Sequence, residues 1–106
     1  MRGDFVIIAI QGDYGKPRPA LVIQSDQFEE LGSITVLPIT STTTDAPLIR
    51  IPVKPNKENG LQKESQIMID KIVTIKREKV AKSFGRCDQA TMLKVQRSLA
   101  VFIGIG

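Results

Sequence analysis

Phe5-Val-Ile-Ile-Ala-Ile10, then Gln11-Gly-Asp-Tyr-Gly15, then Lys16-Pro-Arg-Pro-Ala-Leu-Val-Ile23 is the stretch from which the fold follows. A short, continuous, β-branched apolar run reads as a buried strand, and the glycine-rich segment after it as a turn. Lys16-Pro-Arg-Pro19 cannot be helical, because each proline fixes its own φ and pushes the residue before it into extended conformations. Arg18, held between two prolines, therefore enters a second strand in a stiff, predefined direction. Ala20 to Ile23 continues that strand, and Ser25-Asp26 opens the next turn.

Outward from this hairpin the same grammar recurs. Ser33-Ile-Thr-Val-Leu37 is a third strand that runs on through Pro38-Ile39-Thr40. Pro38 has no N–H for a ladder, so that end is expected to be an edge or a bulge. Thr40 to Asp45 is a polar loop, Leu48 to Val53 a fourth strand, and Lys54 to Gly60 a turn. Gln66 to Lys76 is expected as one fifth strand. Its alternation places Ile67, Ile69 and Lys71 on one face, and Met68, Asp70 and Ile72 on the other. Asp88 is the expected N-cap of a C-terminal helix. On that helix Met92, Val95, Leu99, Phe102 and Ile103 form one apolar stripe read as core packing, with Gly104 and Gly106 ending it. The expected fold is mainly β with one C-terminal α-helix: a small antiparallel barrel or curled sheet with the helix packed on it.

The chain has 106 residues, which suits one domain spanning 1–106. A single cysteine, Cys87, excludes an intramolecular disulfide and a multi-cysteine zinc site. There is no histidine, so the usual metal ligand and neutral-pH proton shuttle are both missing. Residues 1–49 carry three bases against six acids, whereas residues 50–106 carry twelve against five. Such asymmetry points to an acidic partner such as a polynucleotide. No stretch approaches the roughly 20 apolar residues needed to span a bilayer, and Phe5–Ile10 is too short for a signal core. A cytoplasmic location is expected.

Three features stand out as chemistry: the proline-clamped Arg18, the Thr40-Ser41 pair at a strand end, and Asp70 within a strand. Taken singly, each has a plainer reading, as a surface ion-pair partner, a turn-capping hydroxyl and a buried acceptor. No Ser/His/Asp or Cys/His set, phosphate-binding glycine motif or metal cluster is present. Arg2-Gly3-Asp4 matches an adhesion tripeptide but stands at a strand start, where three residues recur by chance.

Together these residues carry a resemblance. Arg2-Gly-Asp4 before an apolar strand, Arg18-Pro-Ala-Leu-Val-Ile-Gln-Ser-Asp26, and Val36-Leu-Pro-Ile-Thr-Ser41 follow one another in order. Gly60-Leu-Gln-Lys-Glu-Ser65, Ile67-Met-Ile-Asp-Lys-Ile-Val-Thr-Ile75 and Phe84-Gly-Arg86 come after them. The series resembles the MazF/PemK (Kid) family of toxin ribonucleases over nearly the whole chain. The resemblance implies an SH3-like barrel that forms homodimers, cleaves single-stranded RNA at short sequences without metal or other cofactor, and is blocked by a cognate antitoxin protein. It implies Arg18 and Thr40 as catalytic residues, with Asp70 implicated beside them. Tyr14, Lys16, Ser41, Gln66 and Lys71 are the expected RNA-contacting positions.

The missing histidine fits that chemistry. RNA brings its own nucleophile, the 2′-hydroxyl, so the protein has to position sugar and phosphate, move protons and stabilise the phosphorane. Arg18 suits two phosphate oxygens and the role of leaving-group acid; Thr40 adds a hydrogen bond. Asp70 is the candidate acceptor of the 2′-hydroxyl proton. Two other readings stand: a CcdB-like protein-binding poison of DNA gyrase, and a non-catalytic nucleic-acid-binding barrel.

Overall fold

Asp4–Ala9 (β1) and Pro17–Val22 (β2) pair antiparallel, with Phe5 opposite Leu21 and Ile8 opposite Arg18, in the computed structural model, which describes residues 1–9 and 16–105. Both strands send alternate side chains into two different cores. Phe5, Leu21, Leu37 and Ile39 join one cluster, while Val6, Ile8, Ala20, Val22, Ile34 and Val36 join the other. A strand buried on both faces has no polar side, which is why these runs read as continuous apolar sequence.

Ser33–Thr40 (β3) pairs with β2, and the rest of the chain adds Arg50–Val53 (β4), Ser65–Met68 (β5), Val73–Lys76 (β6), Val80–Arg86 (β7) and the helix Gln89–Phe102 (α1). The sheet runs β4-β5-β3-β2-β1-β7, with β6 pairing β3 off that path. All pairings are antiparallel. The mainly β fold with one C-terminal helix is as expected, but the sheet is curled and not closed. The loop between β4 and β5 bridges the opening: the Arg86 N–H on β7 donates to the Glu58 carbonyl at 2.7 Å. Asn59, 2% exposed, knots that loop. Its Oδ1 accepts from Asn56 N and Leu61 N at 3.1 and 3.0 Å, and its Nδ2 donates to the Lys54 carbonyl at 2.9 Å.

The single strand expected over Gln66–Lys76 is two strands. A 3-10 turn at Ile69–Lys71 separates β5 from β6, and both pair with β3: Ile39 opposite Ile67, and Val36 opposite Val73. The two registers differ by three residues, the length of the turn. Leu37 and Pro38 oppose this excursion, so the missing Pro38 donor falls where no partner strand asks for it. The bulge expected around Pro38 is therefore in the neighbouring strand. β7 escaped the sequence reading because it is an edge strand, mostly exposed, without apolar alternation.

Asp88 caps α1 as expected: its carboxylate accepts from Thr91 N at 3.1 Å and from Thr91 Oγ1 at 2.7 Å. These bonds hold the Asp88 carboxyl below its ordinary range, the Thr91 hydroxyl contributing most. The cap therefore stabilises the fold above the usual carboxylate range and is lost as pH falls through the depressed value. Asp88→Ala is expected to cost about 1 kcal/mol at neutral pH, read by urea unfolding, with the difference from wild type shrinking in acid. At the other end Gly104, with φ +80°, closes a Schellman motif: Gly104 N bonds the Val101 carbonyl at 3.2 Å and Ile105 N the Ala100 carbonyl at 2.8 Å. The apolar stripe of α1 is core only in part. Val95 is fully buried and Met92 and Leu99 pack against the core, but Phe102 and Ile103 are 46% and 54% exposed. The core ends one turn before the helix does. No helix of the described residues is long and apolar enough to cross a membrane.

Candidate functional site

The β2–β3 ladder pairs Val22 with Val36, Leu21 with Leu37 and Ala20 with Pro38, and there it stops. Carried two residues further, the same register sets Arg18 opposite Thr40, on the face of Ala20 and Pro38. Pro17 and Pro19 lack an N–H, so β2 has no donors with which to continue the ladder. The strands part, and a groove of about 400 Å³ opens between them, lined by Arg18, Pro38, Ile39, Thr40, Met68, Lys71 and Val73. Arg18 and Thr40, 22 positions apart in sequence, share one groove.

The chemistry of that lining is mixed. Arg18 is exposed, Lys71 is 59% exposed, and Thr40 is half-buried. Thr40 Oγ1 accepts the Thr42 N–H at 3.0 Å, the turn-capping contact that its sequence position also suggested. Its own proton faces the Thr42 carbonyl at 3.5 Å, too long to hold it. The hydroxyl is thus oriented by one bond while its proton remains available to an anionic oxygen. Pro38, Ile39, Met68 and Val73 supply an apolar wall on which a base or sugar face can rest.

Asp70 stands elsewhere than expected. It lies in the 3-10 turn, not in a strand, and its carboxylate accepts from Arg50 Nη1. Lys71 Nζ is 3.9 Å from its other oxygen, so the two residues are neighbours and not on opposite faces. The turn abolishes the alternation on which that expectation rested. Asp70 does not line the groove; Lys71 does. Gln66 pairs with Thr40 in register, yet its amide is engaged at both ends by Thr44, accepting from N at 3.1 Å and donating to O at 2.8 Å. It anchors the loop after Thr40. Ser41 is exposed at the start of that loop and Lys16 is exposed just before β2; neither lines the groove. Tyr14 lies outside the described residues.

Arg50 was not singled out from sequence, although an arginine in an otherwise apolar strand is the kind of irregularity that flags a buried ion pair. Cys87 is buried, and burial pushes its thiol up to about 11, which suits a core residue and not a nucleophile. Arg2-Gly3-Asp4 is an internal anchor. Arg2 donates to the Ile23 carbonyl and to Gln96 on α1, and Asp4 pairs with Arg86. Among the described residues, no three acidic, thiol or imidazole side chains come together as a metal site.

The fold recurs in known proteins. The chain is 45% identical over 105 residues to a protein of Mycolicibacterium smegmatis described as a probable endoribonuclease MazF, with 98% of this chain and 96% of that one covered. A mycobacterial endoribonuclease solved in complex with its cognate antitoxin shares the fold at a TM-score of 0.84 and 20% identity, covering 100% of this chain and 96% of that one. The Mycobacterium tuberculosis toxin MazF-mt6 does so at 0.83 and 21%, over 97% and 98% of the two chains. A MazE–MazF structure from Deinococcus radiodurans gives 0.82 and 19%, over 99% and 95%. The family model of PemK-like, MazF-like toxins of type II toxin–antitoxin systems matches residues 1–103, a span that takes in every strand of the sheet, the groove and all of α1, and this chain belongs to that family.

Proposed function

We propose that this toxin is a metal-independent, sequence-specific endoribonuclease that cuts single-stranded RNA in the groove between β2 and β3. The observation that carries the reading is the meeting of Arg18 and Thr40 across that groove. A planar guanidinium and a hydroxyl proton facing one space match the non-bridging oxygens of a phosphodiester. The substrate's 2′-oxygen attacks phosphorus, the bond to the 5′-oxygen breaks, and the products are a 2′,3′-cyclic phosphate and a 5′-hydroxyl. Arg18 stabilises the negative charge that gathers on the phosphorane and supplies the acidic field for the departing 5′-oxygen; Thr40 adds one hydrogen bond. Both Asp70 oxygens are turned toward cations, so its part is to hold charge in place. The 2′-hydroxyl proton leaves to water and water returns one to the departing 5′-oxygen, an exchange that the exposure of Arg18 and Lys71 admits.

The toxin acts in the cytoplasm as a homodimer and is silenced by a cognate antitoxin, in keeping with the antitoxin-bound states of its structural relatives. Val101, Phe102, Ile103 and Ile105, each between 46% and 73% exposed, offer apolar surface to a second copy. The test is incubation of purified protein with a long single-stranded RNA in EDTA, followed by end-mapping. Discrete cuts with cyclic-phosphate ends are expected. Intact RNA with arrested gyrase points instead to a CcdB-like poison, and retardation without cutting to a binding module.

A further inference from the structure

We infer that Arg50 is a positioning residue of the groove, acting through Asp70 to hold Lys71 beside Arg18 as a second cation for an RNA phosphate. The inference rests on the RNA-groove reading above and deepens it. Arg50 opens β4, opposite Met68, and its side chain is only 13% exposed. Its Nη1 donates to Asp70 and also to the Ile49 carbonyl at 3.2 Å. That same carbonyl accepts the first amide of the turn, Ile69 N, at 2.9 Å. The 3-10 turn has no side-chain cap of its own, since Met68 stands at its N-cap. Its geometry is set from outside, by Arg50 on one side and by α1 packed against it.

The ion pair is costly to keep. Two charges with 13% and 20% exposure give up hydration, and apolar side chains of similar volume serve a fold equally well. What the pair does here is present an anion at the base of Lys71. Asp70 Oδ2, 3.9 Å from Lys71 Nζ, is close enough to restrict a flexible lysine stem, yet the contact is long and half in water. Lys71 is thereby aimed into the groove with its charge still available. The path runs from β4 through Arg50 and Asp70 to Lys71 and the RNA backbone.

The variants Lys71→Gln, Arg50→Met and the double variant test this. Cleavage of an RNA carrying a mapped cut site gives kcat and KM. Binding of the same RNA with a 2′-deoxy nucleotide at the cut gives affinity over a salt series. Lys71→Gln is expected to raise KM about tenfold with kcat less affected, and to flatten the salt slope by about one unit. Arg50→Met should do the same, and the double variant should be no worse than Lys71→Gln. Additive losses, or a salt slope untouched by Lys71→Gln, overturn the inference while leaving the nuclease reading intact. Wild-type protein that neither binds nor cuts RNA overturns both. Thermal unfolding checks each variant; if Arg50→Met does not fold, Arg50→Lys keeps the charge without the planar fork and must still shift KM in the same direction.

Discussion

Replacing Arg18 with alanine is expected to lower kcat on a mapped RNA by about 10³-fold or more, with the fold unchanged. Arginines and fixed donors that meet charge developing at a transition state contribute on that scale. The side chain is exposed and its backbone is held by Pro17 and Pro19, so the truncation removes a charge at the groove without opening the core. The thermal midpoint should match wild type, which separates loss of chemistry from loss of structure. Arg18→Lys should recover little, because an ammonium cannot form two parallel bonds to a phosphate. A variant that cuts within tenfold of wild type would falsify the role given to Arg18.

Gly85→Ala is expected to destabilise the fold strongly. A Cβ at this position would lie 2.2 Å from the Asn59 carbonyl oxygen and 2.3 Å from its carbon, both backbone atoms. Asn59 cannot retreat cheaply, since its side chain ties Lys54, Asn56 and Leu61 together. The loop must therefore lift away from β7, breaking the Arg86–Glu58 bond and uncovering the opening of the sheet. A cost of about 3 kcal/mol corresponds to a melting point lowered by roughly 12–24 °C in a domain of this size. Gly32→Ala serves as control: a Cβ there meets nothing within 4 Å, so the change should stay within about 0.5 kcal/mol. Equal melting points for the two variants would show that the loop yields.

The residues that dominate locally were the ones sequence could read. The apolar runs of β1 to β3, the proline clamp around Arg18 and the Asp88 cap each depend on near neighbours, and each is found where expected. The meeting of Arg18 and Thr40 was implied by resemblance and given a physical cause by the register between β2 and β3. What escaped depends on pairing at a distance. The turn at Ile69–Lys71 exists because β3 holds two partners three residues out of step, which alternation within 66–76 cannot reveal. Asp70 and Lys71 changed their relation for the same reason. β7 hides because one exposed edge needs no pattern, and the far end of α1 is apolar without being core.

The pairing of β1 with β7 sets Asp4 against Arg86, across most of the chain. Contacts between segments so distant in sequence place folding in the slow, non-local regime, because long loops must close before any pairing rewards them. Arg18, Thr40 and Lys71 have all been translated well before Arg86 is added. The outer edge of the sheet, where β7 pairs with β1, forms only then. Completion of the sheet edge beside β1 therefore waits on a strand that is synthesised after every residue lining the groove.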